Sequence, residues 1–343
     1  MLKYWFTAPV KFDNFFLDSV YFIIKSFLKI IQIHRRYPIS IINIHNYQLI
    51  YVSPILVNFF FKIPILMKLP IDFESHIFDI IFSKHNNKIS RIINYHWFLI
   101  FKKLFLRKIT FVRAINNKMY KDLLDVGYPK QRILKIPNGI QVEEFLNIKK
   151  RPRNNTHYGF VGRLVEFKNI RSLLDCFKNY FQFYSEDKLF FYGVGSEFEF
   201  IRKYTEKNNL SKNIFLCGFE KDKKKIYSNI DVLIDPAIAQ GISNANLEAM
   251  CSGTFIIASN TPGNKDLIIH KNTGLLFNSM NKIDLLNKLK YYKRSDKEKI
   301  NKIIYNAKYR VLVYYNIEII AQRIIKSLRK KLLDFNRSSE EEF

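Results

Sequence analysis

Three clusters in the second half of the chain have the residue types and spacing to handle an anionic ligand. The first is Gly162-Arg163-Leu164, with Lys168 five positions beyond Arg163. It follows an apolar run that reads as a strand, and Lys168 falls near the start of the next helix. Glycine would let the backbone come close to a phosphate, and the two cations would neutralise it at a helix N-terminus. The plain alternative is a solvated Arg and Lys on a strand-to-helix turn. The second cluster is Gly193-Val194-Gly195 with Glu197 and Glu199 behind it, and a lone GxG says only that the turn is tight. The third runs Gln240-Gly241-Ile242-Ser243-Asn244-Ala245-Asn246-Leu247-Glu248-Ala249-Met250-Cys251-Ser252-Gly253. There a polar loop enters a helix whose free N–H groups can hold anionic oxygens. Glu248 lies on that helix, where a carboxylate can accept two hydrogen bonds from vicinal hydroxyls. In outline this is a sugar-phosphate site.

Other chemistries are poorly supported. Cys176, Cys217 and Cys251 are the three cysteines, without CxxC spacing, and the seven histidines form no HExxH. Neither a disulfide framework nor a protein-held metal is expected, and no cofactor. The cysteine usage fits a reducing compartment, so a cytoplasmic location is expected. Lys and Arg number 56 against 30 Asp and Glu, a net charge of +26 that should attract polyanions, anionic lipid headgroups or phosphorylated ligands. No RNA- or DNA-binding motif accompanies that charge, so nucleic acid is not an expected partner. The opening MLKYWFTAPVKF has no continuous apolar run before a small-residue cleavage site, so no secretory signal is expected.

A chain of 343 residues with 48% hydrophobic and 25% charged residues suits two globular domains. Apolar residues recur at helical spacing from Phe12 to Arg36, and the β-branched run Ile39 to Ile44 follows. A helix is then expected near Tyr51 to Phe60 and a strand at Pro64 to Met67. The apolar stretch Leu49 to Met67 contains Pro54, Asn58, Lys62 and Pro64, so it reads as helix then strand rather than a membrane span. Helical patterning through the nineties, a strand at Lys108 to Arg113 and a helix from Asn117 to Asp125 complete the first half. Lys149 to His157, polar and containing Pro152, reads as a linker. Beyond it, strands are expected at Tyr158 to Val161, Leu189 to Tyr192, Asn213 to Leu216, Val232 to Ile234, Phe255 to Ala258 and Gly274 to Phe277. Helical stretches fill most gaps, which makes parallel sheets covered on both faces. Ligands in such folds meet the carboxyl ends of the strands. His45-Asn46 follows a first-domain strand and would line that cleft, unless His45 is simply a satisfied strand-end histidine.

Several motifs match one family in order. VGRL with a downstream Lys-Asn, YGVGSE, the strand ending in Asp235-Pro236, GISNANLEAMCSG, IIASNTPG and NTGLLF resemble the donor-binding domain of family 4 retaining glycosyltransferases, also called glycosyltransferase group 1. NIHN, the stretch from Arg113 to Gly127 and IPNGI with Phe145 beyond it are similar to that family's first half. The resemblance implies a GT-B fold, α/β with two Rossmann-like domains facing across a cleft. Residues 1–148 would form an acceptor-side domain, 149–157 the linker and 158–315 the nucleotide-sugar domain. A basic helix at 316–337 and a disordered tail at 338–343 would follow.

The same resemblance implies a nucleotide-diphosphate sugar as donor and a saccharide or lipid-linked acceptor in cell-surface glycan synthesis. Arg163 and Lys168 would lie on the diphosphate and Glu248 on the ribose hydroxyls, with Gly162, Gly193, Gly241, Ile242, Ser243, Asn244 and Leu247 around them. The family usually has a Glu eight positions before its ribose Glu, touching the transferred sugar; here that position is Gln240. An amide hydrogen-bonds hydroxyls but supplies no negative charge to an oxocarbenium-like centre. The family's first domain usually opens with a strand and a glycine-rich loop, whereas this chain begins near the following helix, so a shortened N-terminus is expected. His76 stands beyond the family's usual histidine position and is read as structural. The basic helix residues Arg323, Lys326, Arg329, Lys330 and Lys331 would touch an anionic membrane surface or form a solvated face. Two alternatives to an active transferase stay open: a catalytically impaired nucleotide-sugar-binding protein of the same fold, and a basic nucleic-acid binder.

Overall fold

The computed structural model describes residues 15–45, 52–68, 108–239 and 241–340. It divides into two compact units, one of Met1–Ile115, Met119–Lys135 and Lys331–Phe343, the other of Asn116–Lys118 and Ile136–Lys330.

The first unit contains α1 (Phe15–Arg36), β1 (Ile42–His45), α2 (Val52–Phe61), β2 (Ile65–Lys68), β3 (Phe111–Ala114), α3 (Asn117–Asp125) and β4 (Ile133–Lys135). The four strands are parallel and adjacent in chain order. Ile65, Leu66 and Met67 on β2 and all of β3 are buried. A parallel strand covered on both faces reads as a continuous apolar run rather than an alternating one. Met119 and Leu123 of α3 join Ile65, Met67, Val112 and Ala114 in its core.

The apolar stretch from Leu49 to Met67 breaks where its polar residues fall. Helix α2 ends at Phe61, Lys62 turns the chain with φ of 52°, and Asn58 Nδ2 donates to the Ile63 carbonyl at 2.7 Å. Among the described residues no helix is long and apolar enough to cross a membrane. Strand β4 went unforeseen, because three residues become a strand only by pairing in parallel with β3. The helical patterning of the nineties, Asn46 and His76 lie outside the described residues.

The second unit contains β5 (His157–Val161), α4 (Ile170–Phe181), β6 (Lys188–Tyr192), α5 (Phe198–Lys207), β7 (Ile214–Gly218), α6 (Lys223–Asn229), β8 (Val232–Asp235) and α7 (Asn244–Cys251). Then come β9 (Phe255–Ser259), α8 (Pro262–Leu267), β10 (Leu275–Phe277), α9 (Lys282–Arg294), α10 (Lys297–Tyr314) and α11 (Ile317–Glu340), of which the residues up to Lys330 belong to this unit. All six strands are parallel, in the order β10-β9-β8-β5-β6-β7. The chain winds outward from β5 to β7, then returns to lay β8 on the other side of β5. This is the order of a dinucleotide-type Rossmann sheet, and it opens a crevice at the carboxyl ends of β5 and β8. Successive residues feed opposite faces. Tyr158, Ile234 and Ile257 enter one core, while Leu233, Ile256 and Ala258 enter the other.

The division between units lies at Ile136 rather than at Lys149. Ile140, Val142 and Phe145 belong to the second unit's core. Ile140 donates to the Tyr315 carbonyl at 3.0 Å and accepts from the Ile317 amide at 2.9 Å. Gly139 allows that approach, since a Cβ there would lie 2.9 Å from Ile320 Cγ1 and 3.0 Å from the Tyr315 oxygen. The polar run 149–157 is likewise no free linker. Lys150 Nζ donates to the carbonyls of Tyr227 at 2.7 Å and Ile230 at 2.6 Å and to Thr254 Oγ1 at 2.5 Å. It thereby satisfies carbonyls at the end of α6 that the helix leaves unpaired. The last helix starts one residue later than expected and continues to Glu340, into the segment expected to be a disordered tail.

Burial pulls the Lys150 ammonium down to about 7, with Asp231 opposing and Arg153 adding to the shift. In the unfolded chain lysine titrates near its ordinary value of about 10.4. Between about pH 7 and pH 10 the unfolded state therefore binds the extra proton, and stability rises with pH. Below that window both states are protonated and the contribution is flat. Lys150→Met should remove this part of the rise, seen as a smaller gain in urea midpoint between pH 7 and pH 9 than in the wild-type chain.

Candidate functional site

The loops after β5 and β6 meet backbone to backbone. Gly162 donates to the Tyr192 carbonyl at 2.9 Å, Leu164 to the Val194 carbonyl at 2.9 Å and Glu197 to the Leu164 carbonyl at 2.8 Å. A Cβ on Gly193 would lie 1.8 Å from the Gly162 oxygen, and one on Gly195 would lie 2.2 Å from the Leu164 oxygen. Both glycines have φ in the region that side chains avoid, 148° and 157°. The GxG thus shapes the neighbouring Gly162-Arg163-Leu164 loop. Glu197, buried, is held by Arg171 at 2.8 and 3.1 Å and keeps that turn against α4.

Arg163 and Lys168 both lie beside the Phe167 ring. Their charged groups lie 5.6 and 5.7 Å from the centroid of the Phe167 ring, a range over which cations are attracted to a ring face. The two expected anion-binding cations thus both stand beside one ring in the loop that follows β5. The Phe167 carbonyl also accepts from the Ile238 amide at 3.1 Å, tying this loop to the one after β8 across the switch point.

The loop after β8 rests on buried polar groups. Asp235 accepts from Asn246 Nδ2 at 2.6 Å and Asn264 Nδ2 at 3.2 Å. Asn246 Nδ2 also reaches Asn264 Oδ1 at 2.8 Å, and Asn264 Nδ2 donates to the Ser259 carbonyl at 3.0 Å. All four residues are buried. Beneath the loop, a Cβ on Gly263 would lie 2.2 Å from the Gly241 carbonyl carbon, so α8 supports Gly241 and Ile242 at backbone distance. Ser243 is the N-cap of α7 and makes no side-chain capping bond. Asn244 begins the helix, and Leu247 is core. Gln240 lies outside the described residues.

Glu248 projects from α7 and is buried. Its Oε2 accepts from Lys223 Nζ at 2.9 Å and from the Tyr227 hydroxyl at 2.8 Å, while Oε1 accepts from Lys223 Nζ at 3.1 Å. Burial, then the Glu248 charge, pushes the Tyr227 hydroxyl well above its ordinary pKa, which keeps it a donor. Lys223 and Tyr227 stand four apart on α6 and so share a helix face. The sequence pointed to neither of them nor to Asn264, and Asn246 stood in the third cluster without an assigned role. The Lys-to-Tyr spacing was available as a signal, but its partner lies on another helix.

His45 ends β1 in the first unit, in register with Lys68. Among the described residues no group of three or more His, Cys, Asp or Glu side chains is placed to hold a metal ion.

Residues 141–310 match the family described as glycosyl transferases group 1. The chain carries a group 1 glycosyltransferase domain. A capsular polysaccharide biosynthesis glycosyltransferase of Staphylococcus aureus is 22% identical over 57% of this chain and 56% of its own. A UDP-Gal:alpha-D-GlcNAc-diphosphoundecaprenol alpha-1,3-galactosyltransferase of Escherichia coli is 28% identical over 45% of this chain and 43% of its own. The chain spans about half the length of the curated relatives it matches, 52% and 56% for two of them. The crystal structure of Anabaena HepE in complex with UDP-glucose superposes with a TM-score of 0.71 at 19% identity, covering 89% of this chain and 82% of that one. The fold is therefore the GT-B class of these glycosyltransferases, with two Rossmann-like units. Within the glycosyltransferase domain, the match spans the switch-point loops, α7 and Glu248.

Three substitutions test this architecture. Gly193→Ala should cost about 3 kcal/mol or more in chemical denaturation, since the backbone cannot yield to a methyl group there. Gly127→Ala, at φ of 76° with nothing within 4 Å of the new Cβ, should cost only about 1–2 kcal/mol. Asn246→Leu should destabilise by about 1–3 kcal/mol, because the buried Asp235 carboxylate loses its donor at 2.6 Å. The same measurement checks it.

Proposed function

We propose that the protein is a retaining glycosyltransferase that moves a sugar from a nucleotide-diphosphate donor to a saccharide or lipid-linked acceptor in the assembly of a cell-surface glycan. The observation that carries this reading is the set of groups at and around the β5/β8 switch point: two cations on one ring, a helix entered through a glycine loop, and the buried Glu248 carboxylate on that helix. Arg163 and Lys168 meet the diphosphate. Gly162, Gly241, Ile242, Ser243 and Asn244 line its approach, and the N-terminus of α7 adds partial positive charge. Glu248 accepts the ribose hydroxyls.

Charge develops on the diphosphate as the bond to the sugar breaks, and groups fixed in advance stabilise it more than water would. The cations and helix end carry that role, so the proposal includes no protein-held metal. Gln240 replaces, in sequence, the Glu that the family usually presents to the transferred sugar, and acts by hydrogen bonding alone. The relatives support the acceptor class: one is named for capsular polysaccharide, another for a diphosphoundecaprenol-linked sugar. A peripheral position on the cytoplasmic face of the membrane suits such an acceptor, and the exposed Arg323, Lys326, Arg329 and Lys330 on α11 would meet its anionic lipids.

Thermal melting with UDP-, GDP- and ADP-sugars tests the reading, because a ligand of the native state raises the melting temperature. One donor class should raise it, and Glu248→Ala should weaken that donor about tenfold to a hundredfold, the worth of hydrogen bonds to a charged group. Unchanged affinity in the variant would remove the ribose assignment. No shift with any donor would favour a protein of this fold without a working donor site.

A further inference from the structure

The carboxylate assigned to the ribose is already occupied. Both lone pairs of Glu248 Oε2 are taken, by Lys223 at 2.9 Å and Tyr227 at 2.8 Å, and Oε1 accepts from Lys223 at 3.1 Å. A carboxylate offers about four lone-pair sites, two on each oxygen. A vicinal diol presents two donors, and while Lys223 stays bound only one site, on Oε1, is left for them.

The two contacts on Oε2 are not equivalent. Tyr227 is fully buried, stacks edge-on against Phe145 with ring centroids 5.8 Å apart, and cannot leave. Lys223 is the first residue of α6, behind the N-cap Asp222, and its side chain is 42% exposed against 10% for that of Glu248. Water can take over its ammonium at little cost, as for other half-exposed ion pairs. The buried carboxylate has no such freedom and needs a donor at all times.

We propose that Lys223 is a placeholder cation: it holds Glu248 while the site is empty and must swing away for both hydroxyls of a ribose to bind. This rests on the donor-site reading above. Lys223 acts through Glu248, so it is a positioning residue that lowers the affinity for ribonucleotides and leaves the site charged and ordered without one. Its removal frees a second acceptor site, and the benefit exists only for a ligand with two hydroxyls to place.

Isothermal titration of the full chain with uridine, guanosine and adenosine diphosphates, and with their 2′-deoxy counterparts, tests this. Lys223→Met should bind its preferred ribonucleotide about two- to fivefold more tightly than wild type, the range expected from removing a half-exposed ion pair. It should gain nothing for the 2′-deoxynucleotide, which needs only the free site on Oε1. Lys223→Arg, which keeps a cation on the carboxylate, should gain less than Lys223→Met. Lys223→Gln serves as a second neutral variant, and melting curves confirm that each chain is folded. A ribonucleotide bound by Lys223→Met but not by wild type would carry the same conclusion. If Glu248→Ala weakens binding while Lys223→Met binds equally or less tightly, the placeholder role is overturned and the donor site stands. An equal gain for the deoxynucleotide also overturns it. If Glu248→Ala binds like wild type, or no nucleotide binds any of the chains, the donor-site reading fails and takes the placeholder with it.

Discussion

The site depends on two places where backbone touches backbone. Gly193 and Gly195 let the loop after β6 lie flush on the Gly162-Arg163-Leu164 loop, and Gly263 lets α8 lie flush beneath Gly241. A Cβ at Gly193 would sit inside the Gly162 carbonyl oxygen, so no side chain could be exchanged for this contact. These approaches set the height of both loops at the switch point between β5 and β8. The Ile238 amide bond to the Phe167 carbonyl then couples them. Glycine is used here less to receive a ligand than to shape the surface on which Arg163 stands exposed.

Besides Glu197, two buried carboxylates sit near that surface, and their surroundings divide the labour. Asp235 is held by the amides of Asn246 and Asn264, both buried, in a network that also reaches the Ser259 carbonyl. Asn246 and Asn264 are both part of the core, and through them Asp235 anchors the loop after β8. Glu248 has one core partner, Tyr227, and one half-exposed partner, Lys223. A buried charge requires donors but does not specify which. Where the donor can reach water, it can be exchanged for a ligand's hydroxyl. The first carboxylate is fixed in the core; the second has one partner, Lys223, that water can replace.

Much of this was legible in the residues. Helix α3 falls on the expected Asn117 to Asp125, and the six strands of the second unit fall within a residue or two of their expected positions. Parallel strands covered on both faces announce themselves as apolar runs, and helix periodicity survives the polar surface. The motif loops were legible too, because tight turns and helix starts demand glycine and small polar residues at fixed offsets. The sequence could not show β4, a three-residue strand with no period of its own, or the true extent of the second unit. Ile140 to Phe145 looked like the tail of one domain and became the core of the next.

What the sequence determined by itself was therefore local: element type, the order of strands and helices along the chain, and the glycines and charges at the strand ends. The tertiary structure alone decided who meets whom. Lys150 read as part of a linker and is half-buried against three acceptors, the Tyr227 and Ile230 carbonyls and Thr254 Oγ1. Lys223 drew no expectation from the sequence and closes on Glu248, 25 positions away. The reason is physical. Backbone preference and hydrophobic period act over a few residues and leave a mark in the string, whereas a polar side chain is silent about its partner until packing removes water from both.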